Sequence, residues 1–152
     1  MNILSIFLIL SFGIIPSKNY HSSFSFFQNE KRQNVDSVFI YKNLIGSWKW
    51  NKTFYLQRGG GKEVNAEKNI EVAFHSDKTF IIEENAAIVN KGNWKLNAVT
   101  NMKGSWEVLF SNELEKYKYL NLFQGIIQFK ENIVSFNDNY LDGCTRFFER
   151  KK

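Results

Sequence analysis

The sequence predicts an all-β protein, built as a small antiparallel up-and-down β-barrel of about eight strands. Aromatic residues make up 16% of the 152 residues, and aromatic and β-branched side chains suit the half-buried surfaces of a sheet. From Leu44 onward, apolar and polar residues alternate with a period of two. Short polar turns join these segments, so strands that follow one another in sequence are expected to pair. Closing the resulting row of strands into a barrel removes its two exposed edges. A β-sandwich is the alternative, which the short connections disfavour.

The strands follow one another at close intervals. The first strand carries Trp48 and Trp50 on one face, which is the phase expected of a half-buried strand. Asp77 and its neighbours form a turn, because Asp and Ser side chains bond to nearby backbone groups. The glycine-rich run at residues 58–62 (RGGGK) is predicted to be a flexible loop at the barrel mouth. The predicted strands cover residues 44–56, 69–75, 79–84, 87–96, 105–110, 117–123, 126–130, 132–136 and 144–150.

The amino-terminal part of the chain has a different character. Residues 3–15 form an apolar run of thirteen residues, shorter than the roughly 20 that a membrane-spanning helix needs. The run has the length and position of a signal-peptide core; a buried helix or strand is the alternative. We therefore predict a signal peptide over residues 1–17, a polar leader over 18–42 and the barrel domain over 43–152. A short helix is expected near residues 37–42, and the mature protein is expected to be exported, periplasmic or secreted, with no stable membrane span.

Charge and cysteine content exclude several classes of protein. Residues before Leu44 hold four of the 20 Lys/Arg and two of the 15 Asp/Glu, so the barrel segment carries +3 of the formal +5. Its charges are interleaved, whereas a nucleic-acid binder usually shows a basic stripe; nucleic acid is not an expected partner. The single cysteine, Cys144, excludes an intramolecular disulfide framework and a cysteine-only metal site.

Four short patterns follow one another along the chain: GSW at residues 46–48, FHSDKTF at 74–80, GNWKL at 92–96 and DGCTRFFER at 142–150. Their order and spacing resemble those of the lipocalin superfamily. The resemblance is strongest to the short lipocalin-like domains of bacterial envelopes, which are common in Bacteroidetes, and it covers residues 44–151. Lys78 stands where that pattern favours glycine, and no lipobox cysteine is present.

The resemblance implies a structural role for the first of these patterns. In lipocalins the first-strand tryptophan packs at the closed end of the barrel under an arginine from the last strand, and the matching pair here is Trp48 and Arg150. A guanidinium over an indole ring contributes about 0.5–2 kcal/mol, and its spare donors can cap carbonyls at that end. Arg146 has the same strand parity and is the alternative partner.

Catalytic and metal-binding patterns are weak in this sequence. His75 lies beside a turn, Cys144 shows no sign of activation, and there is no Gly-x-Ser-x-Gly elbow. The loop at residues 137–143 lacks the spacing of a calcium loop, and the run at 58–62 lacks the first glycine and the Ser/Thr of a phosphate-binding loop. We therefore predict no catalytic residue, no metal and no cofactor.

The remaining candidate for function is an aromatic interior. An eight-stranded barrel is just wide enough to be filled by side chains or to hold one small ligand. The sequence thus predicts a non-catalytic protein that binds a small hydrophobic molecule inside the barrel. The alternative is a side-chain-filled barrel that serves as an envelope structural module and binds a protein or a polysaccharide. The residues predicted to contact the ligand are Trp50, Phe54, Phe80, Trp94 and Trp106.

Overall fold

The structure is a computed structural model that describes residues 36–57, 60–111, 119–138 and 143–152. Over these residues the chain forms a nearly closed antiparallel barrel, which confirms the predicted fold class. The predicted signal peptide and most of the predicted leader lie outside the described residues. The elements are α1 (Ser37–Leu44), β1 (Gly46–Gln57), β2 (Gly60–Asn65), β3 (Ile70–Phe74), β4 (Thr79–Glu84), β5 (Ala87–Ala98), β6 (Trp106–Phe110), a 3₁₀ helix (Leu120–Phe123), β7 (Ile126–Lys130), β8 (Ile133–Asn137) and β9 (Cys144–Arg150).

Eight strands form the barrel wall, and neighbouring strands along the chain mostly lie side by side. The order around the wall is β6, β5, β4, β3, β1, β9, β8, β7, and β2 pairs with the second half of β1. The last strand, β9, therefore lies against the first. The ends of the row, β6 and β7, contact each other. Closure brings the start of β1 and the end of β9 together at one end, called here the closed end; the opposite end is called the mouth.

Helix α1 covers the closed end. The Asp36 carboxylate accepts a hydrogen bond from the Val38 N–H (3.2 Å), which satisfies one of the free donors at a helix start. Ile40 and Leu44, four residues apart and thus on one helix face, are buried in the barrel core. The helix predicted near residues 37–42 is confirmed and extends to Leu44. The predicted domain start at residue 43 falls inside this helix.

A β-bulge in β1 changes which side chains face the interior. Trp50 pairs with Phe148 of β9, but the next pair is Lys52 with Phe147, so Asn51 is an extra residue. A bulge reverses the alternation of the strand beyond it. Thr53 consequently faces the interior and is buried, whereas Phe54 faces away. The prediction that Phe54 lines the interior is therefore wrong.

The described part of the glycine-rich run, residues 60–62, differs from its prediction, and residues 58 and 59 lie outside the described residues. Gly60 and Gly61 begin β2 rather than a loop, because β2 pairs with β1. The Phe54 ring lies over Gly61, where an added Cβ would come within 1.8 Å of a ring carbon. Only glycine leaves room for this ring, so Gly61 allows the strand pair to accommodate Phe54.

The barrel centre is occupied by aromatic rings around Phe123. The strand predicted over residues 117–123 is, in its described part, a 3₁₀ helix at Leu120–Phe123. Phe123 is fully buried and stacks on Phe148 with ring centroids 4.9 Å apart. It meets Phe136 edge-on at 5.3 Å and lies 6.0 Å from the ring centroids of Phe74 and Phe110.

Candidate functional site

Trp48 and Arg150 meet at the closed end of the barrel. The Arg150 guanidinium carbon lies 4.2 Å from the centroid of the Trp48 ring, and the two residues are paired across β1 and β9. Trp48 is only 1% exposed, and its indole N–H donates to the Leu44 carbonyl (2.8 Å). The contact that the sequence predicted is thus made by Arg150 and not by Arg146.

Arg150 also caps the end of helix α1. Its guanidinium donates to the carbonyls of Ile45 (3.1 Å) and Asn43, and carbonyls at a helix C-terminus have no partner within the helix. Gly46 adopts φ +130, and a Cβ there would lie 2.7 Å from the Arg150 guanidinium. The spacing of glycine and tryptophan at residues 46–48 therefore lets the chain turn beneath the arginine. This cluster is structural and leaves no room for a ligand between its members.

A groove opens beside this cluster, between α1 and the strands β5 and β6. Its volume is about 460 Å³, within the roughly 300–1,000 Å³ of small-molecule sites. Its walls are mostly apolar, and two lysines supply positive charge. The groove is lined by Ser37, Val38, Tyr41, Lys78, Trp94, Lys95, Leu96 and Trp106.

The floor of the groove is held in place by hydrogen bonds. Trp94 stacks on Tyr41 (ring centroids 5.5 Å apart, interplanar angle 26°), and its indole N–H donates to the Thr79 carbonyl (2.9 Å). The Tyr41 hydroxyl donates to the Ser76 carbonyl. Val38 is 52% exposed at the edge of the groove. The aromatic wall is thus largely preformed.

The structure brings together only some of the residues predicted to bind a ligand. Trp94 and Trp106 both line the groove. Phe80 lies in the core against Phe110, with ring centroids 4.7 Å apart. Trp50 lies further along β1 and packs against the core, and Phe54 faces outward.

Sequence reasoning missed the contributions of the helix and the turn to the groove. Val38 and Tyr41 lie on α1, and Lys78 lies in the turn between β3 and β4. The predicted helix near residues 37–42 was the available signal for the first two residues. Lys78 has φ 67, the left-handed conformation that glycine adopts more readily, which explains why the resembling pattern favours glycine at this position.

A second group of polar side chains lies inside the barrel towards the mouth. Thr53 on β1 pairs directly with Arg146 on β9, and Trp50 is the preceding inward residue of β1. The Trp50 Nε1, Thr53 Oγ1 and Arg146 Nη1 atoms are buried, and each lacks a hydrogen-bond partner among the described residues. Arg146 was predicted only as an alternative partner for Trp48. The bulge at Asn51 places Thr53 opposite Arg146.

The residues considered for catalysis show no activation. Burial raises the pKa of the Cys144 thiol, which keeps the thiol protonated at neutral pH and hence a poor nucleophile. His75 is exposed beside its turn. Within the described parts of the chain, no group of three or more His, Cys, Asp or Glu side chains is placed to hold a metal ion. The described helices are too short or too polar to cross a membrane.

Comparisons with known proteins identify no relative of this chain, so its function is inferred from the fold and from these sites. Searches against protein-family models, curated proteins and solved structures found no match to this chain.

Proposed function

We propose that this protein is a non-catalytic, exported, lipocalin-like protein that binds a small hydrophobic molecule. The observation that carries the proposal is the groove of about 460 Å³ between α1 and the barrel. Two of the tryptophans predicted to contact a ligand line this groove. The proposed site therefore lies at the helix-covered end of the barrel, rather than at its aromatic centre, where Phe123 occupies the space between the strands.

Binding would be driven by removal of apolar surface from water. Burial contributes roughly 25 cal/mol for each Å² of apolar surface, and a wall that is already ordered reduces the entropy lost on binding. Trp94 is fixed from two sides by Tyr41 and Thr79. Lys78 and Lys95 would orient the polar end of the ligand, as a few polar groups commonly do in such pockets.

Titration with the neutral, polarity-sensitive dye Nile red tests the proposal. We expect saturable binding to the wild-type protein, with an increase in dye fluorescence and a change in tryptophan emission. Trp106→Ala removes an aromatic wall and should weaken binding by about tenfold or more, since an aromatic side chain buries a large apolar area. Leu109→Ala is the matched control, because Leu109 lies on the same strand with its side chain on the opposite face.

Two results would count against binding in the groove. The first is a lack of saturable dye binding to the folded wild-type protein. The second is an equal effect of the Trp106 and Leu109 substitutions, which would place the dye elsewhere.

The filled aromatic centre supports a second function, that of an envelope interaction module. In that case the outer surface would carry the activity, and the exposed apolar side chains of α1, Val38 (52% exposed) and Phe39 (49% exposed), are its best-placed contacts. A protein or polysaccharide partner is expected for such a surface. Absence of dye binding, together with loss of partner binding in Val38→Ser/Phe39→Ser, would favour this function.

Export is tested separately by cell fractionation and amino-terminal sequencing. We expect the mature protein outside the cytoplasm with an amino terminus after residue 17. A cytoplasmic protein that keeps Met1 would refute export without affecting the ligand proposal.

A further inference from the structure

We infer that the mouth half of the barrel interior holds a second site, which binds the carboxylate group of a small monocarboxylic acid through Arg146, Thr53 and Trp50. This site is separate from the groove beside α1. It lies on the inner wall formed by β1 and β9, beyond the bulge at Asn51.

Strand pairing places the three side chains on one patch of the inner wall. Thr53 and Arg146 are direct cross-strand partners, and Trp50 pairs with Phe148, two residues from Arg146 on β9. Directly opposed residues have Cβ atoms about 4.5–5.5 Å apart. Phe148 is fully buried in the core, so the face of β9 that it shares with Arg146 is the inner face. The three side chains therefore belong to one patch of the inner wall formed by β1 and β9.

The unpaired atoms of this patch can all donate hydrogen bonds. An indole N–H and a guanidinium can only donate, whereas a hydroxyl can donate or accept. The Nε1 of Trp50, the Oγ1 of Thr53 and the Nη1 of Arg146 are buried, with no hydrogen-bond partner in the part of the chain that the structure describes, and Thr53 is only 3% exposed. Leaving a buried donor unpaired is costly, so the patch is suited to an acceptor-rich group, and most of all to an anion.

The charge of Arg146 has no compensating carboxylate in the described part of the chain. Asp138 is close enough to Cys144 to influence the pKa of its thiol, as Arg146 is, but it forms no ion pair with Arg146. The neighbouring cation Lys52, which faces outward, differs in this respect, because it pairs with Glu63 (2.9 Å). A ligand carboxylate would supply the missing charge through charge-assisted hydrogen bonds, which are the stronger kind and are often bidentate for arginine.

The surroundings of Arg146 favour an apolar body on the same ligand. Phe136 lies directly opposite Arg146 on β8 and is fully buried, and Phe148 flanks it on β9. Aromatic walls beside a guanidinium suit the apolar body of a short alkyl or aryl acid. A fully hydrated inorganic anion suits them less well, because these walls would not offset the cost of removing its water.

Isothermal titration of the full chain with hexanoate tests the inference, with 1-hexanol and inorganic phosphate as comparison ligands. We expect hexanoate to bind at least about tenfold more tightly than either. Arg146→Met should weaken hexanoate binding by about tenfold or more and Thr53→Val by a few-fold, since hydrogen bonds to charged groups carry this much affinity. Lys52→Met, which removes an outward cation from the same strand pair, should leave the affinity unchanged.

Thermal unfolding distinguishes a binding site from a structural one. Arg146→Met and Thr53→Val remove unpaired buried groups, so without ligand the melting temperature should stay the same or rise. A fall in melting temperature with either variant would assign the patch to folding and overturn the inference, as would no hexanoate binding, or equal affinities for hexanoate, hexanol and phosphate. The proposal that the groove binds a ligand is tested independently of this second site. Trp106→Ala should impair dye binding but leave hexanoate binding unchanged.

Discussion

Arg150 joins the end of α1 and the start of β1, which are adjacent in sequence but lie far from Arg150 along the chain. It stacks on Trp48 of β1 and donates to the carbonyls of Asn43 and Ile45 at the end of α1. A long aliphatic chain carrying a planar group with five N–H donors is required for all of these contacts. The arginine at position 150 therefore acts as both a ring partner and a helix cap.

Arg150→Met should destabilise the protein by about 2–4 kcal/mol, as measured by urea denaturation. The stack contributes about 0.5–2 kcal/mol, and the bonds from a charged donor contribute about 1.5–3 kcal/mol, while methionine retains only the aliphatic packing. Arg150→Lys should recover little, because an ammonium cannot stack and bridge two carbonyls at once. The matched comparison is Arg146→Met, on the same face of the same strand. Equal losses for both arginines would show that Arg150 has no special role in closure.

The turn between β3 and β4 shows how a short element maintains its geometry with an unfavourable residue. Asp77 accepts hydrogen bonds from the Thr79 N–H (2.9 Å) and from the Thr79 hydroxyl (2.6 Å), and the Lys78 N–H donates to the His75 carbonyl (3.1 Å). These bonds hold Lys78 at φ 67, a conformation that costs a non-glycine residue free energy. The turn thus keeps the pairing of β3 with β4 and places Lys78 at the groove.

The stability supplied by this turn should depend on pH. The hydrogen bond from the Thr79 side chain, followed by that from its backbone, lowers the pKa of Asp77 below 3.8. Because the pKa in the folded state is depressed, the stabilisation is present above the unfolded-state pKa and is lost as the pH falls through the folded-state pKa. Asp77→Asn should therefore destabilise the protein at neutral pH, and the difference from wild type should shrink in acid.

Carboxyl NMR titration and denaturation at several pH values provide the measurements. Thr79→Val removes the hydroxyl donor and should move the pKa of Asp77 back towards 3.8. A pKa for Asp77 that does not change in Thr79→Val would assign the shift to some other group.

The alternation of apolar and polar residues predicts strands well, but it does not show where a β-bulge reverses the faces of the strand. The strands from β3 to β6 were found because Val72, Ile82, Trp94 and their neighbours keep a period of two, although the pairing of β4 with β5 shifts register between Ile82 and Glu83. The bulge at Asn51 leaves no composition signal, so Phe54 was assigned to the wrong face. The glycines at 60 and 61 suggest a loop by local propensity, whereas the structure pairs β2 with β1 and places the Phe54 ring over Gly61.

For the candidate sites too, residues fixed by the local sequence pattern could be predicted, whereas residues brought together by tertiary packing could not. Trp94 and Trp106 were identified because they keep the inward phase of β5 and β6. Tyr41 was missed as a groove residue because only helix packing brings it onto Trp94. Arg146 could be assigned to the inner face by parity, but its partner Thr53 depends on the bulge.

At the scale of the whole molecule, Phe123 connects the barrel wall across its interior. Its ring contacts aromatic side chains from β3, β6, β8 and β9. Rings in such edge-on and offset arrangements gain about 0.5–1.5 kcal/mol for each pair beyond the burial of their area. A 3₁₀ turn that points into the barrel thus fills the barrel centre with the ring of Phe123.

Phe123→Ala should lower the free energy of unfolding by about 3–5 kcal/mol, the usual cost of removing a buried phenylalanine. Phe39→Ala serves as the control, since Phe39 is 49% exposed and contacts the ring of Phe129 at 6.2 Å; it should cost far less. The cavity left by Phe123 is lined by rings and should take up benzene or xenon, as dry apolar cavities do. Similar losses for the two variants would contradict a central role for Phe123.

The pairing of β1 with β9 determines when the barrel can close during synthesis. The bond from Arg150 to the Ile45 carbonyl joins residues 105 positions apart, so β1 cannot gain its second neighbour until β9 has left the ribosome. Contacts of such long sequence separation also slow folding, because a large loop must close first. The nascent chain therefore cannot close its barrel wall until β9 has emerged.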